Sequence, residues 1–394
     1  MRNSFWYIAA LLAITLAGLG VWHAMDDQKE ISASVSVAEA MGGGSQEGYR
    51  KVTGPREFDF PADHGPHPGY KTEWWYYTGT LYTSQGRRFG YQFTIFRNQL
   101  NPSADSGDST EAGSNWETNQ LYLGHFAVAD VAKSDHVFEE RYSRGAAGLA
   151  GATVNPYRIW VEDWQITRID SLAGSDRSFP VRIRARMDDG TAVNLTADPA
   201  KPLTLQGENG YDVKGSGEGN ASYYLSFTRM QTNGVITKDG KEFEVSGLSW
   251  MDHEWSTSAL DKEQEGWDWF SIQLSNGYDL MYYRLRNRDG SVSQYTTGSL
   301  VDPEGNKTTL GPGDVSLDIR DRWESPHTGS VYPGEWVMKI PKVDLTLDLT
   351  TLFDDQEMAV SVQYYEGAIS VSGTMEGKEI GGSGFIEMTG YEED

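Results

Sequence analysis

No cysteine occurs in the 394 residues. That excludes disulfides, thiolate nucleophiles, cysteine-type zinc sites and lipid attachment at a cysteine. Positive charge is scarce: 33 basic residues stand against 57 acidic ones, for a net charge of −24. Nucleic acid and anionic lipid headgroups both require positive surface, so neither is expected as a partner. Long Leu/Ala/Glu/Lys-rich periodic segments are missing from the body, which leaves little room for helix. Repeats of the kind that build solenoids or propellers are also missing. Only one long uncharged apolar run exists, Phe5 to Trp22 behind Arg2.

What is abundant points to strands. Aromatics make up 12% of the chain and glycine supplies 44 residues, as expected for many strands joined by tight turns. The Phe5–Trp22 run reads as an N-terminal hydrophobic helix, either a signal peptide or a membrane anchor, within residues 1–25. Arg2 before it and Asp26 and Asp27 after it place the body outside the cytoplasm, periplasmic or secreted, with the inner membrane as a possible anchor. Residues 26–50 are polar and Gly/Ser/Ala-rich and read as a flexible tether. From residue 51 onward, short alternating runs predict an all-β body. Examples are Lys71–Tyr82, Arg88–Arg97, Leu121–Val131 and Tyr157–Asp170. A boundary near residue 246 divides it into 51–246 and 247–394.

The densest stretch is Gly247–Arg286, which gathers Trp250, Trp255, Trp267 and Trp269 around Asp252-His253-Glu254. Asn276-Gly277 between two alternating runs predicts a hairpin. Trp267, Trp269, Ser271 and Gln273 share one predicted face, and Asp268, Phe270, Ile272 and Leu274 the other. Two apolar faces need two covers. One packs on protein; the other is a candidate cavity wall with carboxyls beside it. Strand parity groups His253 with Trp255 and Tyr282 with Arg284, and these four are expected to face one cavity, with Asp252 or Glu254 at its edge. A buried Arg284 demands an anionic partner, either a protein carboxylate or the acidic head of a ligand. The loop residues Asp63, His64 and His67 lack regular ligand spacing, so no metal site is expected, and no cofactor. Gly247-Leu248-Ser249-Trp250 lacks the second glycine of a nucleophile elbow, so no hydrolase nucleophile is identifiable.

Three strings carry a family resemblance. His64-Gly65-Pro66-His67-Pro68-Gly69-Tyr70-Lys71-Thr72-Glu73-Trp74-Trp75-Tyr76-Tyr77-Thr78-Gly79 is the first. Ser249-Trp250-Met251-Asp252-His253-Glu254-Trp255-Ser256 is the second. Tyr365-Glu366-Gly367 with Gly384-Phe385-Ile386-Glu387-Met388-Thr389-Gly390-Tyr391 is the third. Together they resemble AttH-like secreted lipocalin-like proteins, a family that includes the carotenoid hydratases (hydroxyneurosporene synthases, CrtC). The resemblance implies two tandem lipocalin-like antiparallel β-barrels. It also implies a His-x-Trp, matched by His253-Glu254-Trp255, and a Tyr-x-Asp, of which Tyr282-Tyr283-Arg284 keeps only the tyrosine. Arg284 stays protonated at any working pH and suits a ligand carboxylate or phosphate.

The expected function is binding of a hydrophobic ligand, isoprenoid- or lipid-like, by an exported protein. The enzymatic alternative is a hydratase or other acid catalyst on a carotenoid or terpenoid alkene, which needs a protonated acid and aromatic faces for the cation. A third reading, an envelope accessory of an ABC-type export system, follows from the resemblance alone. Candidate catalytic residues are Asp252, His253 and Glu254. Candidate ligand contacts are Trp74, Tyr76, Trp250, Trp255, Trp269, Tyr282 and Arg284.

Overall fold

A computed structural model describes residues 45–102, 118–169, 178–257 and 260–391. The hydrophobic run and most of the tether lie outside the described residues. Among them the chain is nearly all strand, with three short 3-10 turns, the first at Ala62–His64. Two antiparallel sheets account for the strands.

The first sheet takes β1 (Thr72–Tyr82), β2 (Arg88–Gln99), β3 (Gln120–Asp130), β4 (Asp135–Arg144), β5 (Ala150–Val154), β6 (Tyr157–Val161), β7 (Trp164–Arg168), β8 (Val181–Arg186), β9 (Ala192–Pro199), β10 (Thr204–Leu205), β11 (Tyr211–Val213), β12 (Ala221–Lys238) and β13 (Lys241–Ser256). Its spatial order is β4-β3-β2-β1-β13-β12-β9-β8-β7-β6-β5, with β10 and β11 paired to β12. The sheet curls until its far strands meet: Trp164 on β7 packs against Phe126 on β3 and Phe93 on β2. The second sheet takes β14 (Gln264–Leu274), β15 (Asp279–Asn287), β16 (Thr297–Val301), β17 (Lys307–Leu310), β18 (Ser316–Glu324), β19 (Val331–Ile340), β20 (Leu345–Thr351), β21 (Glu357–Ala359), β22 (Gln363–Met375) and β23 (Lys378–Met388). Its order is β17-β16-β15-β14-β23-β22-β20-β19-β18, with β21 on β22. The all-β reading with two curled sheets therefore holds. The division expected near residue 246 falls inside β13, and the chain changes sheets only after Ser256. The single strand read over Tyr157–Asp170 is two, β6 and β7, because Glu162 turns the chain at a φ of 55°.

Each sheet has two apolar faces, and they do different things. Alternation on β1 sends Trp75, Tyr77 and Leu81 into the core of the first sheet. Trp74 and Tyr76 point the other way, into a cluster shared with Trp250, Trp269, Met281, Tyr283, Ala368 and Phe385 from both sheets. On β14, Phe270, Ile272 and Leu274 enter the second sheet's own core, while Trp269 joins the shared cluster. The hairpin at Asn276-Gly277 forms, with Gly277 at a φ of 90°, which glycine alone adopts without strain.

Polar ties clamp the sheets to one another. Lys201 Nζ reaches Asp279 at 2.8 Å and donates to the Gly277 carbonyl at 2.6 Å. Gln273 donates to the carbonyls of Thr228 and Ser249 at 2.8 and 3.0 Å.

Candidate functional site

The two outward faces do not close completely. Between them lies a cavity of about 100 Å³. Trp74, Tyr76, Phe96 and His125 line it from the first sheet, and Trp267, Trp269, Tyr283 and Tyr364 from the second. Asp252, Glu254, Lys214 and Glu387 are the charged side chains at its wall, apart from Glu73, which is tied up behind it. The cavity thus lies between the sheets, not inside either one.

Asp252 comes from β13 and is buried. Its carboxylate accepts from Tyr224 Oη at 2.7 Å, Ser226 Oγ at 2.6 Å and Trp250 Nε1 at 2.7 Å. Burial nevertheless pushes it up to about 7, because desolvation outweighs those three donors and Glu254 repels it from two residues along. Trp269 Nε1 donates to Tyr224 Oη at 3.0 Å, so the tryptophan of one sheet orients the tyrosine that holds the acid of the other. Glu254 pairs with Lys214, which also lies 3.6 Å from Asp212, and Tyr283 Oη donates to Asp212 at 2.7 Å. Burial raises Glu254 and Asp212, Lys214 opposes it, and the two acids together raise the lysine.

Glu387 comes from β23. It accepts a hydrogen bond from Trp267 Nε1 at 2.7 Å. Burial raises it to about 7, with Asp252 and Glu254 pushing the same way. Directly opposite on β22 stands Glu366. Burial and Glu387 hold Glu366 well above the ordinary carboxyl range, and Tyr76 Oη donates to it across the sheet interface at 2.8 Å. Two facing carboxyls in an apolar wall cannot both ionise readily, so one keeps its proton near neutrality.

The expected set His253, Trp255, Tyr282 and Arg284 does not share this cavity. Parity grouped the pairs correctly but chose the wrong faces. On β13 the cavity takes Asp252 and Glu254, with Trp250 packed beside it, and on β15 it takes Tyr283 and Leu285. Tyr282 lies in the second sheet's core. Arg284 pairs with Asp268, its cross-strand partner, at 3.0 Å through Nε, so neither Asp252 nor Glu254 is its counter-charge. Trp74, Tyr76 and Trp269 do line the cavity, and Trp250 holds Asp252.

His253 and Trp255 belong to a separate buried network behind β1. Glu73 Oε1 lies 2.9 Å from His253 Nε2 and 2.7 Å from His67 Nδ1, while Arg97 Nε donates to Glu73 Oε2 at 2.7 Å. His67 Nε2 lies 3.0 Å from Asp63, and its ring stacks on Trp255 at 3.6 Å. Despite burial, Arg97 and His67 keep Glu73 well below the carboxylate range. Burial brings His253 below the ordinary histidine range, with Glu73 opposing the shift. His67, Glu73 and His253 bring three ligand-type atoms within 4.8 Å of one another, the right types for a cation. Arg97 already supplies Glu73 with its positive partner, and His253 Nδ1 is buried without a hydrogen-bond partner among the described residues.

Glu366, Glu387, Lys214 and Tyr224 escaped the sequence reading. The signal for the first two was present: both acids sit in otherwise apolar, alternating strands within the third family string.

The AttH-like family model matches residues 51–391. An AttH protein from Nitrosomonas europaea has a similar structure, with a TM-score of 0.73 and 32% identity over 87% of this chain and 99% of that one. Among curated proteins, kievitone hydratase from Fusarium solani subsp. phaseoli is 24% identical over 175 residues, 42% of this chain and 49% of the relative. Dehydratase asqC from Emericella nidulans is 22% identical over 199 residues, 48% and 55% respectively. The chain spans about half the length of these curated relatives. The crystal structure of kievitone hydratase from Nectria haematococca shares the fold, with a TM-score of 0.64 and 15% identity over 88% of this chain and 97% of that one.

Proposed function

Because the chain belongs to the AttH-like family, we propose that it adds water to, or removes water from, a hydrophobic substrate by acid–base catalysis in the cavity between the sheets. The observation that carries this reading is the pair of acids, Asp252 and Glu387, both raised to about 7 in an aromatic cavity. Such a value lets one carboxyl hold a proton while the other is ionised at the same pH.

In the hydration direction, protonated Glu387 gives its proton to one alkene carbon. The aromatic wall stabilises the positive charge left on the other carbon. Water adds there, and its excess proton passes to the Asp252 carboxylate. The alkene gains one water, and the two carboxyls exchange protonation states, which solvent resets. Dehydration runs the same steps backwards. The relatives named as a hydratase and a dehydratase support the reaction class. The substrate class, a prenylated or isoprenoid alkene or its tertiary alcohol, rests on the apolar walls.

A second reading, ligand binding without turnover, draws on Asp252 itself, whose three donors also suit a fixed structural anchor. Incubation with a panel of prenylated phenols and isoprenoid alkenes in heavy-oxygen water separates the two. Incorporation of label that Glu387→Gln abolishes supports the enzyme. Tight binding with no incorporation sinks it. The Phe5–Trp22 run motivates the companion proposal that the body works outside the cytoplasm. A C-terminal reporter active only in the cytoplasm would count against that.

A further inference from the structure

A second cavity, of about 240 Å³, opens on the opposite face of the same two strands. Where β14 and β15 present Trp267, Trp269, Tyr283 and Leu285 to the acid cavity, their other faces carry Asp268, Arg284 and Arg286. Arg284, Arg286 and Arg322 line this second space with Val292, Ile319 and Tyr391. Three guanidiniums in one pocket stand out in a chain with a net charge of −24.

The local charges do not balance. Asp268 is fully buried and takes Arg284 through Nε at 3.0 Å and Arg286 Nε at 3.2 Å. Tyr391 Oη donates to the same carboxylate at 2.8 Å, and the Arg286 guanidinium stacks 3.9 Å from the Tyr391 ring centre. Among the described residues, the other acid paired with these arginines is the half-exposed Glu265, 3.8 Å from Arg286. Arg322 has no hydrogen-bond or ion-pair partner among the described residues. Among the described residues, three guanidiniums face two paired acids, which leaves one positive charge without a partner.

Arg322 reaches the pocket through an irregularity in its strand. Ile319 and Arg322 are three residues apart, so an unbroken strand would point them to opposite faces. The pairing of β18 with β19 slips between Ile319 and Asp321, and again between Asp321 and Arg322. Both side chains consequently line one space. Bulges commonly re-aim a side chain in this way beside a binding site.

We propose that this pocket binds a phosphate group, with Arg322 as its free donor and Arg284 and Arg286 as the pre-positioned pair beneath it. A phosphate monoester carries between one and two negative charges at neutral pH, which matches the unanswered charge. Its oxygens also suit several guanidinium forks at once. Val292 and Ile319 would border the group esterified to it.

The test is calorimetric titration of the full chain with sodium phosphate, at an ionic strength fixed with chloride. Saturable binding is expected, weakened at least roughly tenfold in Arg322→Gln. Arg322 is exposed and unpaired, so this variant leaves the fold intact. The chain continues past Tyr391 to Glu392, Glu393 and Asp394. The titration is repeated with these three changed to Gln, Gln and Asn, as a control for their negative charge. Co-sedimentation with phosphatidic acid vesicles that Arg322→Gln abolishes would assign the phosphate to a lipid, and its absence to a soluble ester. No saturable binding in either form of the chain, or equal binding in Arg322→Gln, overturns the proposal. Because the pocket and the acid cavity lie on opposite strand faces, neither outcome bears on hydratase activity.

Discussion

At the scale of single residues, the roles proposed for Asp252 and Glu387, against the buried network that holds His253, give the sharpest test. A dehydratase built on the first two predicts that Asp252→Asn and Glu387→Gln each lower turnover by roughly 10²- to 10⁴-fold. The wild-type pH–rate profile should be bell-shaped and centred near 7, and each variant should lose one limb. Parallel profiles of the two variants check this; two unchanged bells would refute the assignment. His253→Ala gives the contrasting case. It removes the donor to Glu73 and the ring stacked 4.9 Å from Trp75. The expected cost is about 1–3 kcal/mol of stability, with turnover nearly unchanged where the protein is folded. Loss of turnover without loss of stability would return His253 to the catalytic role that its sequence context invited.

At the scale of elements, β14 is the wall common to both cavities, and its alternation was readable in advance. Trp267 and Trp269 fell on one face and Asp268 and Phe270 on the other, and the hairpin at Asn276-Gly277 is where the alternating runs put it. What alternation could not say is which face of a strand turns toward the other sheet. That depends on pairs distant in sequence, such as Trp269 with Tyr224, which join residues from different sheets. For the same reason Arg284 looked like a ligand contact, when its partner stood directly across the hairpin as Asp268. Glu387 was overlooked because its meaning comes from Glu366 opposite and Asp252 across the cavity, neither near it in sequence. The Arg284–Asp268–Arg286 cluster gives a test at this scale. Asp268→Asn removes the buried charge that answers two guanidiniums, and is expected to cost about 3 kcal/mol or more. Urea titration measures it; a midpoint shift near zero would mean that solvent already screens these arginines.

At the scale of the whole molecule, the buried acids make stability fall toward alkaline pH. Asp252 and Glu387 are raised to about 7 from ordinary values of 3.8 and 4.5. The folded chain therefore keeps protons that the unfolded chain has released. Their contribution is complete below the unfolded values and is lost as pH rises toward about 7. Asp63 works in the opposite sense. Although burial opposes it, hydrogen bonds from His67, the Asp59 backbone and Arg56 bring it down to about 2. Its contribution is complete above its ordinary value of 3.8 and is lost as pH falls toward 2. Glu73, held low by Arg97 and His67, adds to that acid limb. The two trends leave a maximum near pH 4 to 5 (about one unit wide). The net charge of −24 at pH 7 reinforces the alkaline decline, since self-repulsion grows as the remaining carboxyls ionise. Thermal melts across this range should peak well below neutrality. Glu387→Gln, which cannot ionise, should flatten the alkaline slope without moving the acid limb. A peak at or above pH 7, or a slope unchanged by that substitution, would mean that the cavity acids titrate like exposed ones, and the same result would remove the basis for acid catalysis between the sheets.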